Sequence, residues 1–216
     1  MTTGKRTRLS ALERRNQLVE VGRAVFAEKG FEAASVEEIA ERAGISKPVV
    51  YEHFGGKEGL YAVIVDREFE YVVDRITAAI AGGSPRARVE AAALALITYA
   101  QDRRDGFDVL VHDAPTSSGY SNLLSEVASR VDTLMEEQLL AAGYGAEYSA
   151  ALAPLHSQAL VGMVSFVAQW WREHPTMSPE ETAAHVAALA WMGLRHLPKE
   201  PDELRRERPA APPDHR

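Results

Sequence analysis

Residues 44–60 read GISKPVVYEHFGGKEGL, and this stretch decides the fold of the N-terminal part of the chain. It is too polar and too short for a core helix, yet too regularly patterned for a loop. Serine is a favoured residue before the first turn of a helix, and glycine is favoured just after the last turn. We therefore predict a short helix that begins at Ser46 and ends before Gly55 and Gly56.

The residues before this stretch predict two more helices. Apolar residues at helical spacing indicate one helix over about residues 10–28, ended by Gly30. The sequence SVEE at 35–38 is a capping box, in which Ser35 accepts the backbone N–H of Glu38 and the Glu38 side chain reaches back. It begins a short second helix, which a tight AGIS turn joins to the third. Two short helices joined in this way form a helix-turn-helix, whose second helix lies in the major groove of DNA.

The residues after this stretch also have helical periodicity. Lys57 opens a long helix that runs through Ile80. Breaks rich in glycine, proline and charge divide the remainder into helices near 86–103, 106–113, 120–142, 146–173 and 179–197. Alternating apolar and polar residues are nearly absent, so we predict no strand. The predicted fold class is all-α, with about nine helices.

The predicted helices fall into two groups between polar ends. Prolines and charges dominate from residue 198 onward, a composition typical of disordered tails. The predicted organisation is a basic disordered arm at 1–9, a helix-turn-helix domain at 10–56, a block of longer amphipathic helices at 57–197, and a disordered tail at 198–216.

The distribution of charge allows a nucleic-acid partner although the chain is acidic. The 216 residues carry a net charge of −7, but residues 1–60 carry +1 and residues 61–197 carry −8. Within residues 1–15, five basic residues face one acidic residue. Because salt confines the field of each patch to about 10 Å, a basic N-terminal end can still bind phosphate.

Composition also excludes several classes of protein. The absence of cysteine rules out disulfides and thiolate metal sites and fits a reducing cytoplasm. No apolar run approaches the roughly 20 residues that a membrane span needs, so we expect no membrane association. The N-terminus lacks the apolar region of a secretory signal. We therefore expect a cytoplasmic protein.

One group of residues raises the alternative of an enzyme or metal site. His112 and Asp113 are adjacent, Asp108 lies four residues before His112, and His156 could join them. However, no HExxH pairing, Gly-rich phosphate loop or GxSxG sequence accompanies them. We therefore predict no catalytic residue, no metal and no cofactor.

Side-chain spacing favours DNA as the partner of the 46–54 helix. Val50 and Phe54, four residues apart, can anchor the helix to the core. Lys57 and Ser35 each stand at a helix start, where unpaired N–H groups favour phosphate. The alternative is a small helical subdomain whose charged face is merely solvated. The residues left for the other faces of the helix are Ser46, Lys47, Val49, Tyr51 and His53.

Residues 18–62, LVEVGRAVFAEKGFEAASVEEIAERAGISKPVVYEHFGGKEGLYA, resemble the N-terminal DNA-binding domain of TetR-family transcriptional regulators. The features that carry the resemblance are the GRAVFAEKGF helix end, SVEEIAERAGIS, YEHF and KEGL. The GFDVLV and AWMGLRHLP segments are similar to an actinobacterial subset of the family. The resemblance implies a homodimer that binds a palindromic double-stranded DNA operator.

The resemblance also implies roles for single residues. Tyr51 and Lys57 would contact phosphate, whereas Lys47, Val49 and His53 would be nearest to base edges. The sequence departs from the family pattern at Pro48, at Val49 and at the Gly-Gly pair before Lys57. The positions that match DNA-contacting positions of the family are Ser35, Ser46, Lys47, Val49, Tyr51, His53 and Lys57.

For residues 57–197 the resemblance implies a ligand-binding and dimerisation domain. Apolar helix faces favour a lipophilic or aromatic effector, although residues of this kind are more often plain core. The pocket candidates are Phe69, Tyr99, Phe107, Leu110, His112, Met135, His156, Met163, Phe166 and Trp170.

Small residues on the last two helices allow close helix approach and suggest a four-helix dimer seam, although alanine is also simply a good helix former. The interface candidates are Ala159, Gly162, Val186, Ala187, Ala190, Trp191 and Leu194. The resulting hypothesis is a repressor that a small effector releases from DNA. The alternatives are an activator of the same family, or a helical binding protein that does not bind DNA.

Overall fold

A computed structural model describes residues 10–111 and 119–197, and this part of the chain forms nine α-helices. The expected arm, the expected tail and the candidate His112 lie outside the described residues. The helices are α1 (Ala11–Ala33), α2 (Val36–Arg42), α3 (Lys47–Phe54), α4 (Lys57–Ile80), α5 (Pro85–Asp102), α6 (Arg104–Val111), α7 (Gly119–Ala141), α8 (Ala146–Glu173) and α9 (Pro179–Leu194).

The all-α prediction is confirmed. Helix α4 begins at Lys57 and ends at Ile80, as predicted. Helix α9 ends at Leu194, three residues earlier than expected, because the next residues form a turn in which the His196 N–H donates to the Gly193 carbonyl. The other predicted bounds after residue 80 agree within two residues.

Helix α1 contains the break that the sequence predicted, but it continues past it. Gly30 has φ 74° and ψ 169°, in the left-handed region that favours glycine. One further turn then carries the helix to Ala33. The start of α1 is a complete capping box, in which Ser10 and Glu13 bond each other's backbone N–H groups. The sequence SALE at 10–13 carries this signal, which sequence reasoning missed.

The capping box predicted at 35–38 forms only in part. The Ser35 hydroxyl accepts the Glu38 backbone N–H at 3.2 Å, as expected. The Glu38 carboxylate, however, binds Lys29 at 2.8 Å and Arg42 at 2.7 Å. The reciprocal half of the prediction is therefore wrong, because two cations draw the carboxylate away from the helix start.

The chain forms two compact units. Of the described residues, the first unit contains 10–75, 98–111 and 119–123, and the second contains 76–97 and 124–197. In the first unit, α1 packs against α2 and α6, and α2 packs against α3. Its core includes Leu18, Phe26, Ile39, Val50, Leu60, Ile64 and Val109. One buried cluster thus holds the three N-terminal helices on α4 and α6.

In the second unit, α8 packs against α9. Among the described helices, α8 is long and apolar enough to cross a membrane by length and composition. The expectation that no stretch approaches a membrane span was therefore wrong for residues 146–173. Core helices of water-soluble proteins meet the same two criteria, and this helix carries three buried serines, Ser149, Ser157 and Ser165.

Candidate nucleic-acid interface

The turn between α2 and α3 is a helix-ending motif that depends on glycine. Gly44 has φ 66°, and its N–H donates to the Glu41 carbonyl at 3.0 Å. The next N–H, of Ile45, donates to the Ala40 carbonyl at 3.0 Å. This pair of bonds satisfies the last carbonyls of α2 and reverses the chain within a few residues. Helix α3 can therefore begin immediately after α2 ends.

Helix α3 is attached to the core by its apolar side and by an arginine. Val50 is fully buried, and Phe54 packs against the same cluster. The Arg15 guanidinium donates to the His53 carbonyl at 2.9 Å and lies 4.5 Å from the centre of the Phe54 ring. Gln17 donates to the Ala43 carbonyl at 3.0 Å. Two α1 side chains thus fix the C-terminal ends of α2 and α3.

Sequence reasoning missed this role of Arg15 and counted it among the charges of the basic N-terminus. The only available signal was that Arg15 lies on the second turn of α1 and not in the N-terminal arm. Its partner is 38 residues away in the chain. Local patterns do not report contacts at that separation.

The opposite side of α3 presents most of the expected DNA-facing groups. Lys47 and Tyr51 are exposed, whereas Val49 and His53 are half-buried. The Lys47 ammonium lies 5.7 Å from the centre of the Tyr51 ring. It also forms an ion pair with Glu37, which lies in the first turn of α2. Sequence reasoning did not identify Glu37.

The two serines differ in what their hydroxyls do. Ser46 precedes the first turn of α3, but its side chain makes no capping bond to the helix. Its backbone carbonyl accepts the Val49 N–H at 3.0 Å. The expectation that Ser46 caps α3 through its side chain is therefore wrong, and its exposed hydroxyl makes no bond to the start of the helix. The Ser35 hydroxyl accepts one capping bond and retains its own O–H as a donor.

Lys57 occupies the predicted helix start, and its ammonium has partners there. It donates to the carbonyls of Phe31 at 2.9 Å and Glu32 at 3.3 Å, and lies 4.4 Å from the centre of the Phe31 ring. An ammonium has three donors, so one remains after these two bonds. Lys57 therefore joins the start of α4 to the end of α1, and a phosphate contact would use the one remaining N–H donor of its ammonium.

The charge of the described helix-turn-helix region is largely neutralised internally. Residues 35–56 contain four glutamates and two basic residues, a net charge of −2 with histidine neutral. Of the seven basic residues in 10–57, Arg14 is the one whose side chain has no partner among the described residues. The other six are bonded as follows: Arg15 to His53, Arg23 to Glu20 and Glu68, Lys29 to Glu38, Arg42 to Glu28 and Glu38, Lys47 to Glu37, and Lys57 to Phe31 and Glu32.

The same unit contains a buried carboxylate. Glu68 on α4 is 2% exposed. Arg103 donates to it at 2.6 and 3.1 Å, Arg23 of α1 at 3.1 Å, and the Tyr99 hydroxyl at 3.0 Å. Gly106 of α6 leaves the space, since a Cβ there would lie 2.6 Å from the Glu68 Cδ. The Glu68 cluster, defined by these five residues, joins α1, α4, α5 and α6.

The protonation states within the Glu68 cluster follow from these contacts. Burial would by itself raise the pKa of Glu68, but the hydrogen bonds from Arg103 and Tyr99 and the charges of Arg103 and Arg23 outweigh it and lower the pKa below 4.5. Burial, followed by the neighbouring Glu68 charge, raises the pKa of Tyr99 far above its ordinary value. Glu68 is therefore ionised at neutral pH, and Tyr99 is its neutral hydrogen-bond donor.

The pocket candidates are divided between the two units. In the first unit, Tyr99, Phe107 and Leu110 are buried and Phe69 is half-buried. The Tyr99 hydroxyl, chosen as a polar group on an apolar face, already has Glu68 as its partner.

The candidates in the second unit differ in exposure. Met135, His156 and Met163 are half-buried there. Phe166 and Trp170, by contrast, are 74% and 49% exposed. These last two side chains therefore lie on the outside of the chain, not within it.

The dimer candidates also separate into inner and outer residues. Val186, Ala187 and Ala190 are buried within the chain, so they pack α9 inside its own unit and do not present an outer face. Ala159 is exposed, and Gly162, Trp191 and Leu194 are half-buried. The large exposed apolar residues of α8 and α9 are Leu155, Phe166, Trp170, Leu189 and Met192.

A short, exposed helix held behind a tight turn and anchored by α1 defines a DNA-binding protein of the helix-turn-helix class. Two family models assign the chain more narrowly. Residues 18–64 match the bacterial regulatory proteins of the tetR family, and residues 82–194 match the tetracyclin repressor-like C-terminal domain. The chain belongs to the TetR family of transcriptional regulators, a family of DNA-binding proteins and not of enzymes.

Relatives agree with this assignment. The HTH-type transcriptional activator FasR of Mycolicibacterium smegmatis is 29% identical over 193 residues, which cover 88% of this chain and 87% of FasR. The HTH-type transcriptional repressor BdcR of Escherichia coli is 36% identical over 75 residues, only 33% of this chain and 36% of BdcR. A TetR-like transcriptional regulator from Rhodococcus sp. RHA1 superposes with a TM-score of 0.71 at 27% identity, covering 88% of this chain and 100% of that one.

Proposed function

We propose that the protein binds a palindromic operator as a homodimer through α3, and that a small effector controls this binding. The observation that carries the proposal is the disposition of α3, whose apolar side is buried while Lys47 and Tyr51 are exposed. In the proposed complex Lys47, Val49 and His53 face base edges. Ser35, Ser46, Tyr51 and Lys57 contact phosphates. The DNA target places the protein in the cytoplasm.

Selection of bound fragments from random DNA, at a stated salt concentration, tests this proposal. The wild-type protein is expected to enrich a palindrome, and the Lys47→Ala/Tyr51→Ala variant to lose the enrichment. Arg130→Ala is the control, because it removes an exposed cation of α7 in the second unit. Loss of enrichment in the control, or retention of enrichment in the double variant, would contradict the proposal that α3 contacts the operator.

The exposed apolar face of α8 and α9 supports the homodimer. Leu155, Phe166 and Trp170 follow each other at intervals of eleven and four residues on α8, which keeps them on one side of the helix. Leu189 and Met192 form a matching pair on α9 and are 69% and 59% exposed. Exposed apolar patches of this kind mark protein interfaces. The seam therefore uses this face, with Ala159 and Gly162 between the larger residues.

A change of one leucine tests the seam. Leu189→Asp is expected to halve the molar mass measured by light scattering, because two copies of the charge would be buried across the two-fold axis. Leu12→Asp is the matched control, since Leu12 is 66% exposed on α1. A dimeric Leu189→Asp protein would place the interface elsewhere.

For the effector we propose a lipophilic or aromatic body with at least one polar group. Half-buried Met135 and Met163 offer apolar contacts in the second unit. On α8 the Ser149 Oγ, His156 Nδ1 and Ser157 Oγ atoms are shielded from solvent and have no hydrogen-bond partner among the described residues. Such atoms need a partner, which a polar group of a ligand or a water molecule supplies.

A naphthalene-based fluorescent probe tests the effector site. Binding of the probe is expected to lower the affinity of the protein for its selected operator. His156→Ala is expected to weaken this effect, whereas His185→Ala, at an exposed position on α9, leaves it unchanged. A probe that binds without changing operator affinity, or equal effects in both variants, would argue against effector control from this site.

The direction of regulation has two candidates. Release of a repressor by its effector is the first. Activation is the second, and it is favoured by the similarity over most of both chains to FasR, a transcriptional activator. In vitro transcription from the promoter beside the selected operator separates them: added protein lowers the transcript level for a repressor and raises it for an activator.

A further inference from the structure

The ion pair between Glu37 and Lys47 links the two helices of the helix-turn-helix on its exposed side. Glu37 belongs to the first turn of α2, and Lys47 begins α3. Their side chains are 63% and 45% exposed, so the pair lies on the surface proposed to meet DNA. Neither residue faces the core. The pair is therefore not needed to fill space, and it determines where the charge of Lys47 lies.

An unpaired lysine on such a surface would bind DNA without regard to sequence. Lysine is a compact charge on a flexible stem, and backbone phosphates are accessible to it on any DNA. Base edges in the major groove require instead that the donor lie at a defined place. Glu37 fixes the position of the Lys47 ammonium, because it accepts from one of the three ammonium donors and leaves the other two available. The Tyr51 ring, 5.7 Å from the ammonium, borders the same position.

We infer that Glu37 is a specificity-determining positioning residue, which holds the Lys47 ammonium toward base edges and away from backbone phosphates. This inference rests on the proposed function of α3. While the pair persists in the complex, Lys47 contributes little to binding of non-operator DNA. Its remaining donors bond base acceptors when the operator presents them. Removing the carboxylate should therefore improve binding to the wrong DNA more than to the right one.

The test compares Glu37→Gln with wild type on the selected operator and on a scrambled duplex of the same length. Affinity for the scrambled duplex should rise about 1.5- to 5-fold per subunit, the range for an exposed ion pair. The logarithmic salt slope on that duplex should steepen by about 0.9 per subunit, the value for one added phosphate contact. Operator affinity should rise by less, so that the operator-to-scrambled ratio falls.

Two further variants separate positioning from a general change of charge. Glu41→Gln neutralises another exposed glutamate of α2 and is expected to leave the ratio unchanged. In a Lys47→Ala background, Glu37→Gln should behave like Glu41→Gln, because its effect acts through Lys47. Base preferences read by site selection should also broaden in Glu37→Gln at the positions that Lys47→Ala affects.

Each outcome bears on the inference. Equal gains on both duplexes, the same gains in Glu41→Gln, or a Glu37→Gln effect that persists without Lys47 would each show that Glu37 merely repels phosphate, and would overturn it. A wild-type protein that selects no site would overturn the proposed function together with the inference. A wild-type protein that selects a site, with an unchanged ratio in Glu37→Gln, would overturn the inference alone.

Discussion

Two glutamates of the first unit, Glu68 and Glu37, carry their charges in opposite surroundings. Glu68 is 2% exposed and accepts bonds from Arg23 of α1, Tyr99 of α5 and Arg103 in the turn between α5 and α6. Glu37 is 63% exposed and has one lysine partner on the neighbouring helix. A buried charge that loses its partners is costly, whereas an exposed one rehydrates. The Glu68 cluster therefore stabilises the fold, while the pair at Glu37 can exchange partners with DNA.

The strongest test of this contrast removes the buried carboxylate. Glu68→Ala should lower the free energy of unfolding by about 3 kcal/mol, the lower end of the range for a broken buried pair, because Arg23 and Arg103 can still reach water. Denaturant unfolding at neutral pH measures the change. Glu20→Ala is the control, since Glu20 also pairs with Arg23 but is 59% exposed. A similar loss in both variants would mean that burial does not distinguish the two carboxylates.

A methyl group added opposite Glu68 tests the same cluster without changing any charge. In Gly106→Ala the new Cβ would lie 2.6 Å from the Glu68 Cδ and 2.9 Å from the Tyr99 hydroxyl. Overpacking of this kind costs about 1–3 kcal/mol. Gly82→Ala is the control, because its Cβ would meet nothing within 4 Å and it lies outside the helices of the proposed dimer seam. Equal unfolding midpoints for Gly106→Ala and wild type would indicate that α6 moves away from α4 at little cost.

Acid titration distinguishes the charge of Glu68 from its shape. The pKa of Glu68 in the folded protein is lowered from 4.5, so its stabilising contribution is complete above 4.5 and is lost as the pH falls through the lowered pKa. Glu68→Gln keeps the shape but has no such titration. The difference in unfolding free energy between wild type and Glu68→Gln should therefore shrink as the pH falls below 4.5. A constant difference between pH 7 and pH 3 would contradict this account.

The sequence predicted the helices well because the residues that begin and end each helix are adjacent to it in the sequence. Gly30, Gly44 and Gly55 all have positive φ, and each ends or breaks a helix where its position indicated. Helix α4 has the predicted bounds for the same reason. Burial of Val50 followed from its helical spacing relative to other apolar residues.

The contacts that organise the site could not be predicted in this way. Arg15 and its partner are 38 residues apart, and Arg23 and Glu68 are 45 residues apart. Charged residues at such separations have many possible partners, and composition does not choose among them. On α9 the difficulty was different, because Val186 is buried and Leu189 exposed although both are apolar. Periodicity indicates that faces exist but not which face another chain covers.

The smallest expected effect concerns Lys57, whose surroundings are intermediate between those of the two glutamates. Its ammonium is held by two backbone carbonyls and by the Phe31 ring, but it stands at a helix start proposed to face phosphate. Lys57→Ala should weaken binding to operator and scrambled DNA about equally and flatten the logarithmic salt slope by about 0.9 per subunit. Binding titrations at several salt concentrations measure both quantities.

The contacts of Lys57 with the end of α1 require a second variant, because their loss could also displace α3. Lys57→Arg keeps a cation and should retain most of the salt slope. If Lys57→Ala weakens binding without changing the slope, Lys57 acts by fixing the end of α1 and is not a phosphate contact. In that case it belongs with Glu68 as a residue that supports the fold, and the backbone phosphates are left to Ser35, Ser46 and Tyr51.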